Sequence, residues 1–296
     1  MSVLADDSVA AFQDRFWTSA NGLRLHARDY GAADDKLPVV CIPGLTRNCR
    51  DFEDLAPWMA ERGRRVLAAD LRGRGQSGRD PDRRHYQPIV YADDIISLLQ
   101  SIGAPQALFV GTSLGGLVTI SLAARRPDLI GGAVLNDVGP RVSSAGLRRI
   151  ANYVGKTTPV RTWADALAYA KQINAVAFPH YEDERWAVVA RRLFKEDENG
   201  APVLDYDPLI FRKANPLVMW LTTPLIWRAY RRLSRCGPLL ILRGASSDIL
   251  DLRTVREMQR VAPKAVVAEI PGVGHAPMLD EPAARSALAD YLDSAP

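Results

Sequence analysis

Residues 106–126 read Gln-Ala-Leu-Phe-Val-Gly-Thr-Ser-Leu-Gly-Gly-Leu-Val-Thr-Ile-Ser-Leu-Ala-Ala-Arg-Arg. A short apolar run over 107–110 stops at Gly111. Ser113 follows, then Gly115 and Gly116, then an apolar run long enough for a helix. The pattern predicts a strand, a tight turn and a helix, with a serine at the apex. Small residues at 111, 115 and 116 let the backbone reverse where a Cβ would collide. Ser113 is then held clear of the strand, above a helix N-terminus. A bare Gly-x-Ser-x-Gly is a weak signal; the flanking strand and helix carry the reading.

Outward from this stretch, apolar runs and helical spacings alternate. Strands are predicted over 14–19 and 23–29, joined at Ala20-Asn21-Gly22, an Asn-Gly hairpin signal. Continuous apolar runs over 37–42, 65–69, 130–135 and 238–243 suit strands buried on both faces. Helical spacing covers 52–61, 90–102, 252–261 and 282–292, and a last strand covers 265–270. The fold class is therefore α/β: a mostly parallel sheet flanked by helices, with an antiparallel start. The alternation stops over 141–235, where prolines break a mostly helical segment. The expected organisation is a core from 1–140 and 236–296, with 141–235 as a helical cap.

A serine hydroxyl needs a base, and the base needs an orienting carboxylate. Of the four histidines, His275 directly follows a strand, in Pro271-Gly272-Val273-Gly274-His275, and is the expected base. Asp248 lies in the loop after the strand at 238–243 and is the expected acid. Asp137, which ends the strand next to the elbow strand, is the alternative. Loops at the carboxyl ends of parallel strands line one crevice, which would gather these groups. The oxyanion donors expected are the backbone N–H groups of Leu114, after the nucleophile, and Leu45, in Pro43-Gly44-Leu45. Arg47 beside that loop is a candidate for a substrate carboxylate. Trp163, Trp186, Trp220 and Trp227 fall in the cap segment. Trp163 and Trp186 are candidates for an apolar pocket wall.

Taken together, Pro43-Gly44, Asp70-Leu71-Arg72-Gly73-Arg74-Gly75-Gln76-Ser77, the elbow, residues 244–248 and Gly274-His275 resemble the α/β-hydrolase superfamily, in its capped esterase, lactonase and carbon–carbon hydrolase branches. The resemblance covers most of the chain outside 141–235. It implies Ser113 as nucleophile, His275 as base and Asp248 as acid, and a structural role for 70–77. Relatives with an aspartate nucleophile, the epoxide hydrolases and haloalkane dehalogenases, differ at position 113. The activity implied is cleavage of a small carboxylic ester or lactone through an acyl-enzyme. Alternatives are a carbon–carbon hydrolase of aromatic ring-fission products and a non-catalytic receptor.

Bulk properties agree with a soluble enzyme. Hydrophobic residues make up 47% and charged residues 24%, with a net charge of +4. No basic run is dense enough for nucleic acid, and no apolar stretch is long enough for a membrane span. Cys41, Cys49 and Cys236 lack the spacing of a disulfide framework or a zinc site. Residues 1–15 carry Asp6, Asp7 and Asp14 and no apolar segment, unlike a signal peptide. We therefore expect a cytoplasmic monomer or homodimer, a small-molecule substrate, and no metal or organic cofactor.

Overall fold

The computed structural model describes residues 12–32, 35–152, 160–211 and 216–296. The N-terminal residues through 11 lie outside them, as does the side chain of Trp220. Among the described residues, no helix is long and apolar enough to cross a membrane.

The chain runs β1 (Phe12–Thr18), β2 (Arg24–Tyr30), β3 (Val39–Ile42), α1 (Leu55–Ala60), β4 (Val66–Asp70), α2 (Pro88–Ser101), β5 (Ala107–Thr112), α3 (Leu114–Arg125) and β6 (Ile130–Asn136). Then come α4 (Ser144–Ala151), α5 (Trp163–Asn174), α6 (Asp183–Leu193), a small antiparallel hairpin of β7 (Phe194–Glu196) and β8 (Pro202–Leu204), and α7 (Pro216–Leu233). The chain closes with β9 (Leu239–Gly244), α8 (Leu252–Val261), β10 (Val266–Ile270) and α9 (Pro282–Ser294).

Eight strands form one sheet in the order β1-β2-β4-β3-β5-β6-β9-β10. The pairs β1–β2 and β2–β4 are antiparallel and the rest are parallel. Alternate residues of the central strands face opposite sides. Val40, Ile42, Phe109, Leu135 and Ile241 pack with α2, α3, α7 and α8. Val39, Cys41, Leu108, Val110, Leu240 and Leu242 pack with α1, α9, α5 and α6. Both sides are covered, which is why these strands read as unbroken apolar runs. β3 sits between β4 and β5, so the sheet reverses direction of growth there. The loops after β3 and β5 diverge at that point and leave a crevice at the carboxyl edge.

The segment 141–235 divides in a way its proline spacing conceals. Helices α4 to α6 and the hairpin cover the carboxyl edge of the sheet. Helix α7 belongs to the core. Ala229, Tyr230 and Leu233 join the cluster beneath α3, and Arg232 Nη1 donates to Ala124 O at 3.0 Å. Pro224, read as a break, lies inside α7. The expected boundary at 235 groups α7 with α4 to α6, whereas the buried residues of α7 pack with α3. Trp227, stacked edge-on to Tyr230 at 5.8 Å, is likewise a core-side residue.

The 70–77 loop ties the core together. Arg72, fully buried, binds Asp94 Oδ2 through Nε at 2.8 Å and Asp80 Oδ2 through Nη1 at 2.6 Å. Asp70 accepts from the Cys49 and Gln76 N–H groups and faces His26 Nδ1 at 2.7 Å. His26 Nε2 faces Asp14 at 2.8 Å. Burial alone would push this imidazole down. The hydrogen bonds and charges of Asp70 and Asp14 outweigh it and raise it above 6.5. The stabilisation these carboxylates give is complete below pH 6.5, where both folded and unfolded chains are protonated. It is lost as pH climbs through the raised value. Chemical melts of the wild type should weaken from pH 6.5 upward, and His26→Gln should flatten that trend; parallel curves for the two proteins would refute it.

Candidate active site

The turn at the end of β5 has Ser113 at φ 52°, ψ −112°, a backbone region that favours glycine. The strain sits on the serine itself, and the glycines around it supply clearance instead. A Cβ on Gly115 would lie 2.0 Å from Ile42 O, and one on Gly111 would lie 2.6 Å from the Gly115 backbone. Strand β3 and the first turn of α3 thus touch backbone to backbone. A non-glycine residue held in such a conformation is a feature of functional sites. Ser113 N–H is held by Asn136 O at 2.9 Å.

His275 lies on the loop after β10, and its Nε2 is 2.8 Å from Ser113 Oγ. Its Nδ1 is 2.7 Å from Asp137 Oδ2. An ionised carboxylate can only accept, so Nδ1 carries the proton and Nε2 is left as the acceptor for the serine hydroxyl. Asn136 secures the loop from below, donating through Nδ2 to Pro277 O at 2.8 Å and to Thr112 Oγ1 at 3.1 Å.

The carboxylate at the imidazole is therefore Asp137 and not Asp248. Asp137 directly follows β6, the strand beside β5, and turns inward with φ 57°. It is 0% exposed. Asp248 stands four residues beyond the end of β9, and its side chain is 34% exposed. It accepts from Arg149 of α4 at 2.6 and 2.9 Å. That hydrogen-bonded pair holds its carboxyl below the usual range. Asp248 joins α4 to the loop after β9. Asp251 caps α8, accepting from Thr254 N–H at 2.6 Å.

Leu114 is the first residue of α3, so its N–H has no intrahelical partner. Leu45 lines the cavity beside Ser113. Neither amide donates to a backbone carbonyl among the described residues outside the helices and strands. The Leu45 carbonyl faces the other way and accepts from Arg74 Nε at 3.0 Å. Arg74 is buried and is itself held by Arg72 O and the Tyr91 hydroxyl. The loop after β3 is thus pinned from beneath.

The cavity over Ser113 and His275 mixes polar and apolar walls. Thr46, Arg47, Asp51 and Asn174 supply polar groups; Ile150, Ile173, Phe178 and Leu193 supply apolar surface. Arg47 lines it, but its Nε and Nη2 are bound to Asp51 at 2.5 to 3.0 Å. Trp163 and Trp186 do not line it. Trp163 donates to Glu196 and lies under the Arg191 guanidinium. Trp186 packs with Phe178 and Tyr181 inside the cap. Both indole rings pack against neighbouring side chains rather than lining the pocket. Asp51 and Asn136 carried no motif and became visible only as contacts.

One group has metal-ligand chemistry among the described residues: His26, Cys49 and Asp70, with ligand atoms within 4.8 Å. Both His26 nitrogens already face carboxylates, and burial pushes the Cys49 thiol far up. The set fits an internal ion pair better than a metal.

Comparison with known proteins agrees with the fold. A model described as the alpha/beta hydrolase family matches residues 39–288. The chain is 32% identical to a 3-hydroxybutyrate-oligomer hydrolase of Cupriavidus necator over 266 residues, covering 88% of this chain and 89% of the relative. It is 27% identical to a 2-(acetamidomethylene)succinate hydrolase of Mesorhizobium japonicum, covering 78% and 79%. A crystal structure of an alpha/beta hydrolase from Novosphingobium aromaticivorans superposes with a TM-score of 0.88 at 40% identity, covering 96% of this chain and 99% of that one.

Proposed function

Since this chain belongs to the alpha/beta hydrolase family and is a hydrolase, we propose that it cleaves short carboxylic esters or lactones through an acyl-enzyme on Ser113. The observation that carries the reading is the unbroken line from Ser113 Oγ to His275 Nε2 at 2.8 Å and from His275 Nδ1 to Asp137 Oδ2 at 2.7 Å.

Ser113 Oγ attacks the carbonyl carbon while His275 Nε2 takes its proton. Asp137 keeps the imidazole in the required tautomer and balances the imidazolium charge. The Leu45 and Leu114 N–H groups hold the oxyanion; losing one such donor typically costs about 3–4 kcal/mol of barrier. His275 then returns the proton to the leaving alkoxide. Water, deprotonated by the same nitrogen, releases the acid and restores Ser113. The steps as proposed need no metal or organic cofactor.

The substrate class we favour is a short oligoester of a hydroxy acid. The Cupriavidus relative, aligned over nearly its whole length, supports it. So does a cavity with apolar walls and a few hydrogen-bonding groups, Thr46 and Asn174 among them. In this reading Arg47, kept rigid by Asp51, meets the terminal carboxylate. We place the protein in the cytoplasm as a monomer or homodimer.

The test is a substrate panel with an active-site label. 3-Hydroxybutyrate dimer and trimer, p-nitrophenyl esters of rising acyl length and a ring-fission diketone are compared. Turnover of the oligomers and short esters, together with fluorophosphonate labelling at Ser113, is expected. Turnover of the diketone alone would replace this reading with carbon–carbon hydrolysis. Tight binding with no turnover would make the protein a receptor.

A further inference from the structure

The loop after β9 does not supply the acid, yet it grips the residue that does. Asp137 Oδ1 accepts from Gly244 N–H at 3.0 Å. Asp137 Oδ2, the oxygen facing His275, is also 2.6 Å from Ser247 Oγ. The direction of that bond follows from its surroundings. Ser247 Oγ accepts from Ile249 N–H at 3.2 Å and Leu250 N–H at 3.1 Å. With both lone pairs engaged, the hydroxyl retains only its proton to offer, and a buried carboxylate is an acceptor.

We propose that Ser247 is a positioning residue of the triad: it donates to the Asp137 oxygen shared with His275, fixes the carboxylate plane and tempers the basicity of the imidazole. This rests on the Ser113–His275–Asp137 reading above. Three donors on one buried carboxylate spread its charge, so less of it is concentrated on the oxygen that faces Nδ1. Ser247 does not line the cavity over Ser113 and acts through Asp137. Among the described residues, a few other charged groups surround the imidazole. Asp248 is paired to Arg149. The Arg47–Asp51 pair shares the cavity wall. His180 approaches the loop at Gly272, and Glu281 accepts from Met278 and Leu279 N–H just beyond it.

The experiment is the pH profile of kcat/KM for a short ester with wild type, Ser247→Ala, Ser247→Cys and Ser247→Thr. Without the hydroxyl, Asp137 holds the imidazolium more tightly, so the acidic limb should move up by about half to one unit. Ser247→Ala and Ser247→Cys should both show the move. Ser247→Thr, which keeps the donor, should restore the wild-type limb. An unmoved limb in the Ala and Cys variants overturns the proposal, whatever happens to kcat, because a merely structural role changes amounts and not the limb. Failure of both variants to fold would make the hydroxyl a loop staple and would also overturn it. Retained turnover in Ser113→Ala would instead sink the reading beneath; a dead Ser113→Ala with an unmoved Ser247→Ala limb would sink this inference alone.

Discussion

Asp137→Asn should lower kcat for ester hydrolysis by about 10⁴, while Asp248→Asn should stay within roughly tenfold of wild type. The reason lies in which atom of the new amide can face the imidazole. Gly244 N–H is fixed in the backbone and requires an acceptor at the Oδ1 position, whereas the Ser247 hydroxyl proton can rotate away from Oδ2, so the Asn oxygen takes the Oδ1 place and its NH₂ points toward His275. Nδ1 must then accept, the ring proton moves to Nε2, and the base can no longer take the serine proton. Asn matches Asp in size, so thermal unfolding should remain cooperative, and KM should change little. Asp248→Asn removes an ion pair with Arg149 in which both side chains are partly exposed, and such pairs contribute about 0–1 kcal/mol. The two variants, assayed side by side with their melts, decide between the carboxylates. A 10⁴ loss in Asp248→Asn with an active Asp137→Asn would reverse the assignment.

Ser113→Ala should remove activity by roughly 10⁴ to 10⁶ in kcat, leaving only what binding and the oxyanion amides supply. Substrate affinity should survive. The same position offers a second readout, because its backbone is held at φ 52°. Alanine keeps a Cβ there and should unfold near the wild-type midpoint. Ser113→Gly relieves the conformation and should raise stability by about 1 kcal/mol while remaining inactive. A stabilised but dead Gly variant would show that the turn stores strain to present the hydroxyl. Ester turnover that persists in either variant would remove Ser113 from the chemistry.

Ser113 was legible because it directly follows β5, and His275 because it ends the short glycine-rich turn after β10, and such turns after parallel strands have few paths to take. The sheet itself was legible for a similar reason. Runs such as Val39–Ile42 and Leu239–Gly244 are apolar at every position, or nearly so, and only burial on both faces accounts for that. Choosing the acid needed more. Asp137 and Asp248 both end up at the carboxyl edge. The choice turned on whether a loop residue meets His275 or the Arg149 guanidinium, which lies 99 positions away in the chain. Helix α7 misled in the same way. Pro224 reads as a break, but contacts with α3 keep the helix whole and in the core. Trp163 and Trp186 looked like pocket walls because aromatic side chains serve cap packing and ligand contact equally well.

By itself, the order of residues determined the alternation of strands and helices, the serine at the elbow and the histidine that follows the last strand. Those features are local: hydrophobic period and turn chemistry act over a few neighbours. Only the tertiary structure decided that Asp137 completes the line, that Asp248 pairs with Arg149 of α4, and that Ser247 reaches the same carboxylate oxygen as His275. Such pairings are distances between groups 99 to 138 positions apart, set by how strands and helices lie side by side, and no local pattern encodes them.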